Sequence, residues 1–299
     1  HGARVFCGLR SGFVQQWHAP LNAAPTFHEW RAHSECIYDV LPVGRVLVTA
    51  SQDGLLRVWH LQTLHLLANL AGHKGRVRCV AGGSAAHPHR LFSGSNDRTV
   101  RVWDLAELLS GQPDGNKGQV FGMHKHWVRA VAVTADGGFV VSASKTLRVW
   151  SQKAPHQLLH TLPVGCWVYS LAVCDTEHGQ ARANTIYAGC SDGVIRCWNM
   201  SDLNTGMDEH VQLGGGNGKA KPQKGDAIRA LAANGAVLYS GTADGRMRAW
   251  DLSSQPASVR SLQNSHNGAV RAIDADDMSN VVFSAGTDRT IKMWSEGAS

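Results

Sequence analysis

Two residue populations in this chain could do chemistry. Sixteen histidines and seven cysteines supply metal-ligand and nucleophile types, and arginines recur beside aromatic residues at one place in a set of similar short segments. The histidine tracts His87-Pro88-His89 and His124-Lys125-His126 suggest metal ligation at first sight. The first lies in a turn-like stretch with no Cys, Asp or Glu close by, so it does not complete a zinc set. The chain contains no HExxH, no phosphate-binding loop, no GxSxG and no catalytic cysteine context, which removes the common local signatures of metalloproteases, nucleotide hydrolases and acyl transferases. A non-catalytic protein without metal or cofactor is the resulting expectation.

The arginine pattern is more informative. Six segments align on a central apolar residue: Cys36-Ile37-Tyr38, Arg76-Val77-Arg78, Trp127-Val128-Arg129, Trp167-Val168-Tyr169, Ala227-Ile228-Arg229 and Ala269-Val270-Arg271. In a strand the middle residue points one way and both flanking residues the other. Arg78, Arg129, Arg229 and Arg271 therefore share one position, Tyr38 and Tyr169 share it in the other two segments, and Arg76, Trp127 and Trp167 stand two residues before it. Clustered arginines hold phosphate or carboxylate through paired N–H donors, and Trp, Tyr and Arg dominate binding hot spots. A structural alternative stays open, in which each arginine pairs with a turn aspartate of a neighbouring unit. Nucleic acid is a further alternative, disfavoured by a formal charge of only +6 over 299 residues.

The elements that must position these residues follow from a repeat. Seven of the ten tryptophans, Trp17, Trp59, Trp103, Trp150, Trp198, Trp250 and Trp294, each close a short alternating strand, separated by 42 residues (17 to 59) to 52 residues (198 to 250). Before each lies a turn of Gly, Asp, Asn or Ser, and before that another strand, as in Leu91 to Leu105, LFSGSNDRTVRVWDL, which predicts a hairpin. A third strand precedes the pair, for example Arg76 to Ala81 or Val128 to Val133. A weaker fourth follows the tryptophan, for example His65 to Leu70 or Gln157 to Leu162. Four strands per period predict an antiparallel blade, and a ring of such blades leaves only short protected edges. No run of about eighteen apolar residues is present, so no membrane contact is expected. The odd cysteine count without a CxxC pair favours reduced, mostly buried thiols in an intracellular protein, cytoplasmic or nuclear. Insertions at 106–119, 175–185 and 201–226 interrupt the period, and the Gly-rich polar stretch 214–225 is expected to be a flexible loop.

Residues such as Ala71-Gly72-His73, Ser93-Gly94-Ser95-Asn96-Asp97 and Trp103-Asp104 resemble the WD40 repeat family, and the resemblance covers essentially residues 1–299. It implies one seven-bladed β-propeller. It also implies hydrogen-bonded tetrads of a loop His, a strand Ser or Thr, a turn Asp and the closing Trp, here His33, Thr49, Asp53, Trp59; His73, Ser93, Asp97, Trp103; and His266, Ser284, Asp288, Trp294. The other copies depart: Ser11 replaces the Asp in the first, the fourth has a turn two residues short without Asp, the fifth has Ala188 for the hydroxyl and no His, and the sixth lacks the His. The first copy starts at its second strand and the last stops at its third, so residues upstream of His1 are expected to supply both missing strands. In such propellers the positions of Tyr38, Arg76, Arg78, Trp127, Arg129, Trp167, Tyr169, Arg229 and Arg271 lie on the top face around the channel. That pattern is similar to phosphopeptide-gripping receptors of F-box ubiquitin ligases, although no F-box is present. The resemblance implies an interaction scaffold, part of a longer protein and a larger complex, binding other proteins that are acidic or phosphorylated, or else a purely structural adaptor.

Overall fold

A computed structural model describes residues 3–19, 26–84, 86–110, 117–153, 156–174, 185–200, 211–213, 227–253, 257–263, 265–276 and 281–295. The expected flexible stretch at 214–225 lies outside the described residues, as do most of the insertions at 175–185 and 201–226. The first insertion opens with a single helical turn, Leu105–Leu109, whose N-cap Asp104 accepts hydrogen bonds from the amides of Ala106 and Glu107.

The third blade shows how the repeat folds. Its strands Val77–Gly82, Arg90–Ser95, Thr99–Asp104 and Gln119–Met123 hydrogen-bond in that order, all antiparallel. Arg90–Ser95 is buried along almost its whole length, whereas Gln119–Met123 is mostly exposed. This gradient explains the small, apolar run LFSGS: a strand covered on both faces has no room for a polar alternation. The hairpin turn after it puts Arg98 at φ 73°. The Asp97 carboxylate steadies that turn by accepting the amide of Thr99 at 2.9 Å and its hydroxyl at 2.7 Å, the side-chain mimicry of a turn that favours Asp there.

Seven such sheets follow one another, making the protein an all-β, seven-bladed β-propeller of mainly four-stranded blades that span 3–31, 37–70, 77–123, 130–163, 168–213, 228–262 and 270–295. The first and last blades have three strands among the described residues. Residues 1–138 and 139–299 form two compact units, divided in the turn between the first two strands of the fourth blade. One expected strand is shorter than the pattern suggested: the first strand of the fourth blade is Ala130–Val133, so Trp127, Val128 and Arg129 precede it.

Within each unit, successive blades lock through one recurring contact. The buried middle residue of the arginine segment packs onto a glycine of the preceding blade: Ile37 on Gly8 and Val128 on Gly94 in the first unit, Ile228 on Gly189 and Val270 on Gly241 in the second. A Cβ on these glycines would come within 2.4 to 2.6 Å of the facing methyl group. Interiors packed to crystalline density have no slack for that atom. Gly94→Ala is therefore expected to lower the unfolding free energy by about 1–3 kcal/mol, seen as a lower urea midpoint at unchanged slope. Between the second and third blades the core gathers Val48, Leu56, Leu70, Val77, Leu91 and Trp103. Between the fifth and sixth it gathers Tyr187, Ile195, Cys197, Ile228, Leu238 and Trp250.

Candidate functional site

The side chains of the arginine position owe their direction to a backbone irregularity. In five blades the pairing register slips at that residue, between Ile37 and Asp39, Val77 and Cys79, Val168 and Ser170, Ile228 and Ala230, and Val270 and Ala272. Tyr38, Arg78, Tyr169, Arg229 and Arg271 are thus the extra residues of β-bulges. A bulge frees its residue from the ladder and re-aims its side chain. Nothing in the residue types marks these bulges; their recurrence beside a buried Val or Ile becomes visible only once the strands are paired.

In the first unit the bulge brings Tyr38 and Arg78 together. The Arg78 Cζ lies 4.2 Å from the Tyr38 ring centroid, and its Nε donates to Asn96 Oδ1 at 3.0 Å. Tyr38 belongs to the blade before that of Arg78, and its hydroxyl donates to Gln52 Oε1 at 2.8 Å. Gln52 in turn donates to the Glu35 carboxylate at 2.6 Å. Arg129 stands 5.6 Å from the centroid of Trp127, itself 43% exposed, and Arg76 is exposed ahead of its strand.

The second unit repeats the arrangement. Arg229 Cζ lies 4.0 Å from the Tyr169 ring centroid, again with the tyrosine in the preceding blade. Its Nε is buried and has no hydrogen-bond partner among the described residues. Trp167 is half-buried, and Lys145 from the shortened turn of the fourth blade lies 5.2 Å from its ring centroid. Sequence reading passed over Lys145, whose only signal was a turn too short to hold the usual Asp. Arg271 is exposed. A guanidinium on an aromatic face gains about 0.5–2 kcal/mol and presents its N–H donors along the edge of its plane.

The structural residues form three continuous chains. His33 Nδ1 meets Asp53 at 2.8 Å and its Nε2 meets Thr49 Oγ1 at 2.7 Å, while Trp59 Nε1 donates to the same oxygen at 3.1 Å. His73, Asp97, Ser93 and Trp103 repeat this at 2.8, 2.7 and 2.8 Å. His266, Asp288, Ser284 and Trp294 do so at 3.0, 2.8 and 2.9 Å. Burial alone would raise the Asp53, Asp97 and Asp288 carboxyls, but hydrogen bonds from the histidine and from neighbouring groups outweigh it and hold all three below the usual range. The eroded copies keep fragments: Trp150 donates to Ser142 and Trp250 to Ser240, both at 2.8 Å. In the fifth copy Asp192 is held instead by Arg196, at 2.7 and 3.1 Å. Trp30, on the outer strand of the first blade and not one of the closing tryptophans, packs edge-on against Trp59 with ring centroids 6.2 Å apart.

The histidines at 87 and 89 serve a turn, in which Arg90 N donates to the His87 carbonyl and Leu105 N to that of His89. Among the described residues one trio of ligand-type atoms lies close together, those of Cys166, Cys190 and Asp192. None of the seven cysteines is in a disulfide, and no helix of the described residues is long and apolar enough to cross a membrane.

Fold and tetrads together define an antiparallel propeller of tryptophan-closed repeats. The family model for the WD domain, G-beta repeat, matches residues 25–60, 64–104, 115–151 and 257–295, and the chain belongs to the WD40 family. It is 28% identical over 246 residues to mitochondrial division protein 1 of Aspergillus terreus, covering 76% of this chain and 33% of that protein. It is 27% identical over 281 residues to mitochondrial division protein 1 of Pyricularia oryzae, covering 86% and 38%. It is 24% identical over 283 residues to kinesin-like protein KIF21B of Mus musculus, covering 88% and 16%. The chain thus spans well under half the length of these relatives.

Proposed function

We propose that this chain is a non-catalytic interaction scaffold whose arginine–aromatic pairs bind an acidic or phosphorylated segment of another protein. The observation that carries the reading is the repeated pair itself: Arg78 on Tyr38 and Arg229 on Tyr169, each set on a β-bulge and each joining neighbouring blades. Two bulges that place the same cation on the same aromatic face leave donor edges in a fixed orientation, and fixed donors lose little entropy when a carboxylate or phosphate docks. Arg129 on Trp127 and Lys145 by Trp167 extend the two patches. Arg76 and Arg271 add exposed charge. The likeness to F-box ligase receptors rests on the arginine pattern alone, and the relatives bear other names. Mitochondrial division and kinesin-like character are stated of those proteins; for this chain their common ground is the propeller as a scaffold for protein contacts.

Binding of fluorescent peptides that carry phosphoserine or runs of Glu, against neutral counterparts, tests this. Arg129→Glu with Arg229→Glu should weaken binding at least about 30-fold, the cost of removing one partner of a desolvated charge pair, with the far-ultraviolet spectrum unchanged. Unchanged affinity would remove the reading. A backbone-type nucleic-acid binder would instead lose affinity steeply with salt and compete with nonspecific nucleic acid. A second reading, a structural adaptor, is favoured by apolar side chains on the outer strands: Leu66, Leu67, Val120, Met123, Leu158 and Val259 are each more than 40% exposed. In that case complex assembly survives the double charge reversal and fails on polar substitution of the outer strands.

A further inference from the structure

The fifth blade holds a group that no part of the binding reading uses. Where other copies place a histidine and a hydroxyl, this one has Val164 and Ala188, so Asp192 lacks its usual imidazole partner. Arg196 fills the gap. The equivalent Arg57 and Arg101 donate to backbone carbonyls, of Ala32 and of Lys117 and Gly118, whereas Arg196 grips Asp192 with two N–H groups and points the same Nη1 at Cys166 Sγ, 3.5 Å away.

The second thiol arrives by an equally local substitution. In the third blade Ser95 Oγ donates to the carbonyl of Gly75 at 3.1 Å. The fifth blade has Cys190 in the place of Ser95 and Cys166 in the place of Gly75, so a contact common to the repeat becomes a pair of sulfur atoms. Their Sγ atoms lie within 4.8 Å of each other. Cys190 is buried and Cys166 half-buried. Cys166 sits in the 164–167 turn beside Gly165, whose Cα faces open space and whose φ is +78°. Solvent therefore has readier access to Cys166 than to Cys190.

We propose that Cys166 is a hydroperoxide-reactive thiol and Cys190 its resolving partner, so that the fifth blade carries a reversible oxidation site. The hydrogen bond from the Cys190 thiol, and then the Arg196 charge, pull the Cys166 thiol down to about 7 against burial and the Asp192 carboxylate. The Cys190 thiol is pushed up and keeps its proton. In the first step the Cys166 thiolate attacks the terminal oxygen of ROOH: the S–O bond forms, the O–O bond breaks, and RO⁻ leaves and takes a proton from water. In the second, the Cys190 sulfur attacks the sulfenic sulfur. The S–S bond forms, the S–O bond breaks, and the Cys190 proton leaves with the hydroxide as water. Sulfur is oxidised by two electrons in all and the peroxide reduced by two. A cation is a poorer occupant of this trio, because the Arg196 guanidinium already neutralises Asp192 and faces the sulfur.

The test starts with the fully reduced chain and hydrogen peroxide in slight excess, each of the seven cysteines being followed by differential alkylation and peptide mass. Cys166 should be consumed at least about 10-fold faster than Cys7 and Cys36, which are also half-buried. The chain should lose two hydrogens and yield a Cys166–Cys190 cross-linked peptide. Cys190→Ser should stop at a sulfenic acid that a cyclic 1,3-dione captures at Cys166. Arg196→Met should slow consumption of Cys166 by about 10-fold. The wild-type ranking needs no variant to fold: Cys166 reacting no faster than Cys7 and Cys36 overturns the proposal. Stoichiometric zinc on the purified chain, released only when Cys166 is alkylated, overturns it as well.

Discussion

Ser93→Ala is expected to lower the unfolding free energy by about 2–4 kcal/mol, more than most substitutions that remove a single oxygen. The serine is fully buried and its Oγ stands at the centre of a tetrad, taking the Trp103 indole N–H at 2.8 Å and meeting His73 Nε2 at 2.7 Å. Because the Asp97 carboxylate engages Nδ1, the proton of a neutral imidazole sits there and Nε2 accepts the serine hydroxyl. Deleting the oxygen orphans a buried donor and a buried acceptor together, each at about 1–3 kcal/mol. Ser240 gives the internal comparison. Among the described residues it accepts only the Trp250 N–H at 2.8 Å, its copy having no histidine, so Ser240→Ala orphans one group and should lose about half as much. Ser93→Thr keeps the oxygen, as Thr49 does in the second blade, and should retain most of the stability. Urea midpoints at constant slope check all three. Equal losses at Ser93 and Ser240 would show that the histidine contributes nothing.

Acid should destabilise the protein through the same groups. The Asp53, Asp97 and Asp288 carboxyls are held below their ordinary range in the folded state, burial being outweighed by hydrogen bonds from His33, His73 and His266 and from nearby hydroxyl or amide groups. A depressed carboxyl stabilises the fold above the unfolded-state pKa of about 4 and loses that contribution as pH falls through the lower folded value. The urea midpoint should therefore show no fall from these groups between pH 7 and pH 5 and drop steadily below about pH 4. Asp97→Asn should cost about 1–2 kcal/mol at pH 7, the low end for a charge-assisted hydrogen bond because the carboxylate is partly solvated. It should also flatten the acid limb. An acid limb of unchanged steepness in the combined Asp53, Asp97 and Asp288 to Asn variant would place the acid sensitivity elsewhere.

Much of this architecture was legible in the residues. The tryptophan period, the small apolar strand before each turn and the polar turn itself are local features, and the strands form where they predict because burial on both faces demands apolar, compact side chains over each full length. The tetrad partners were legible through the resemblance to WD40 repeats, which implies a histidine, a hydroxyl, an aspartate and a tryptophan at set positions. The fourth blade was read less well. Its first strand starts at Ala130 rather than Val128, because alternation alone cannot tell a paired residue from one that only continues the pattern.

The arginine position separates local from tertiary information most clearly. Alternation determined that Val77 and Ile228 are buried and that Arg78 and Arg229 are not, a property of any pleated strand. Only the paired strands reveal that these arginines are bulge residues, and only the packed blades put each on the tyrosine of its neighbour, because that contact joins residues about 40 to 60 positions apart in the chain. The thiols Cys166 and Cys190 and the cation of Arg196 belong to the same class. Their residue types were plain from the start, but their proximity depends on two strands and a turn closing around a missing histidine. Residue type sets what a side chain can do, and three-dimensional packing sets which other groups it can do it with.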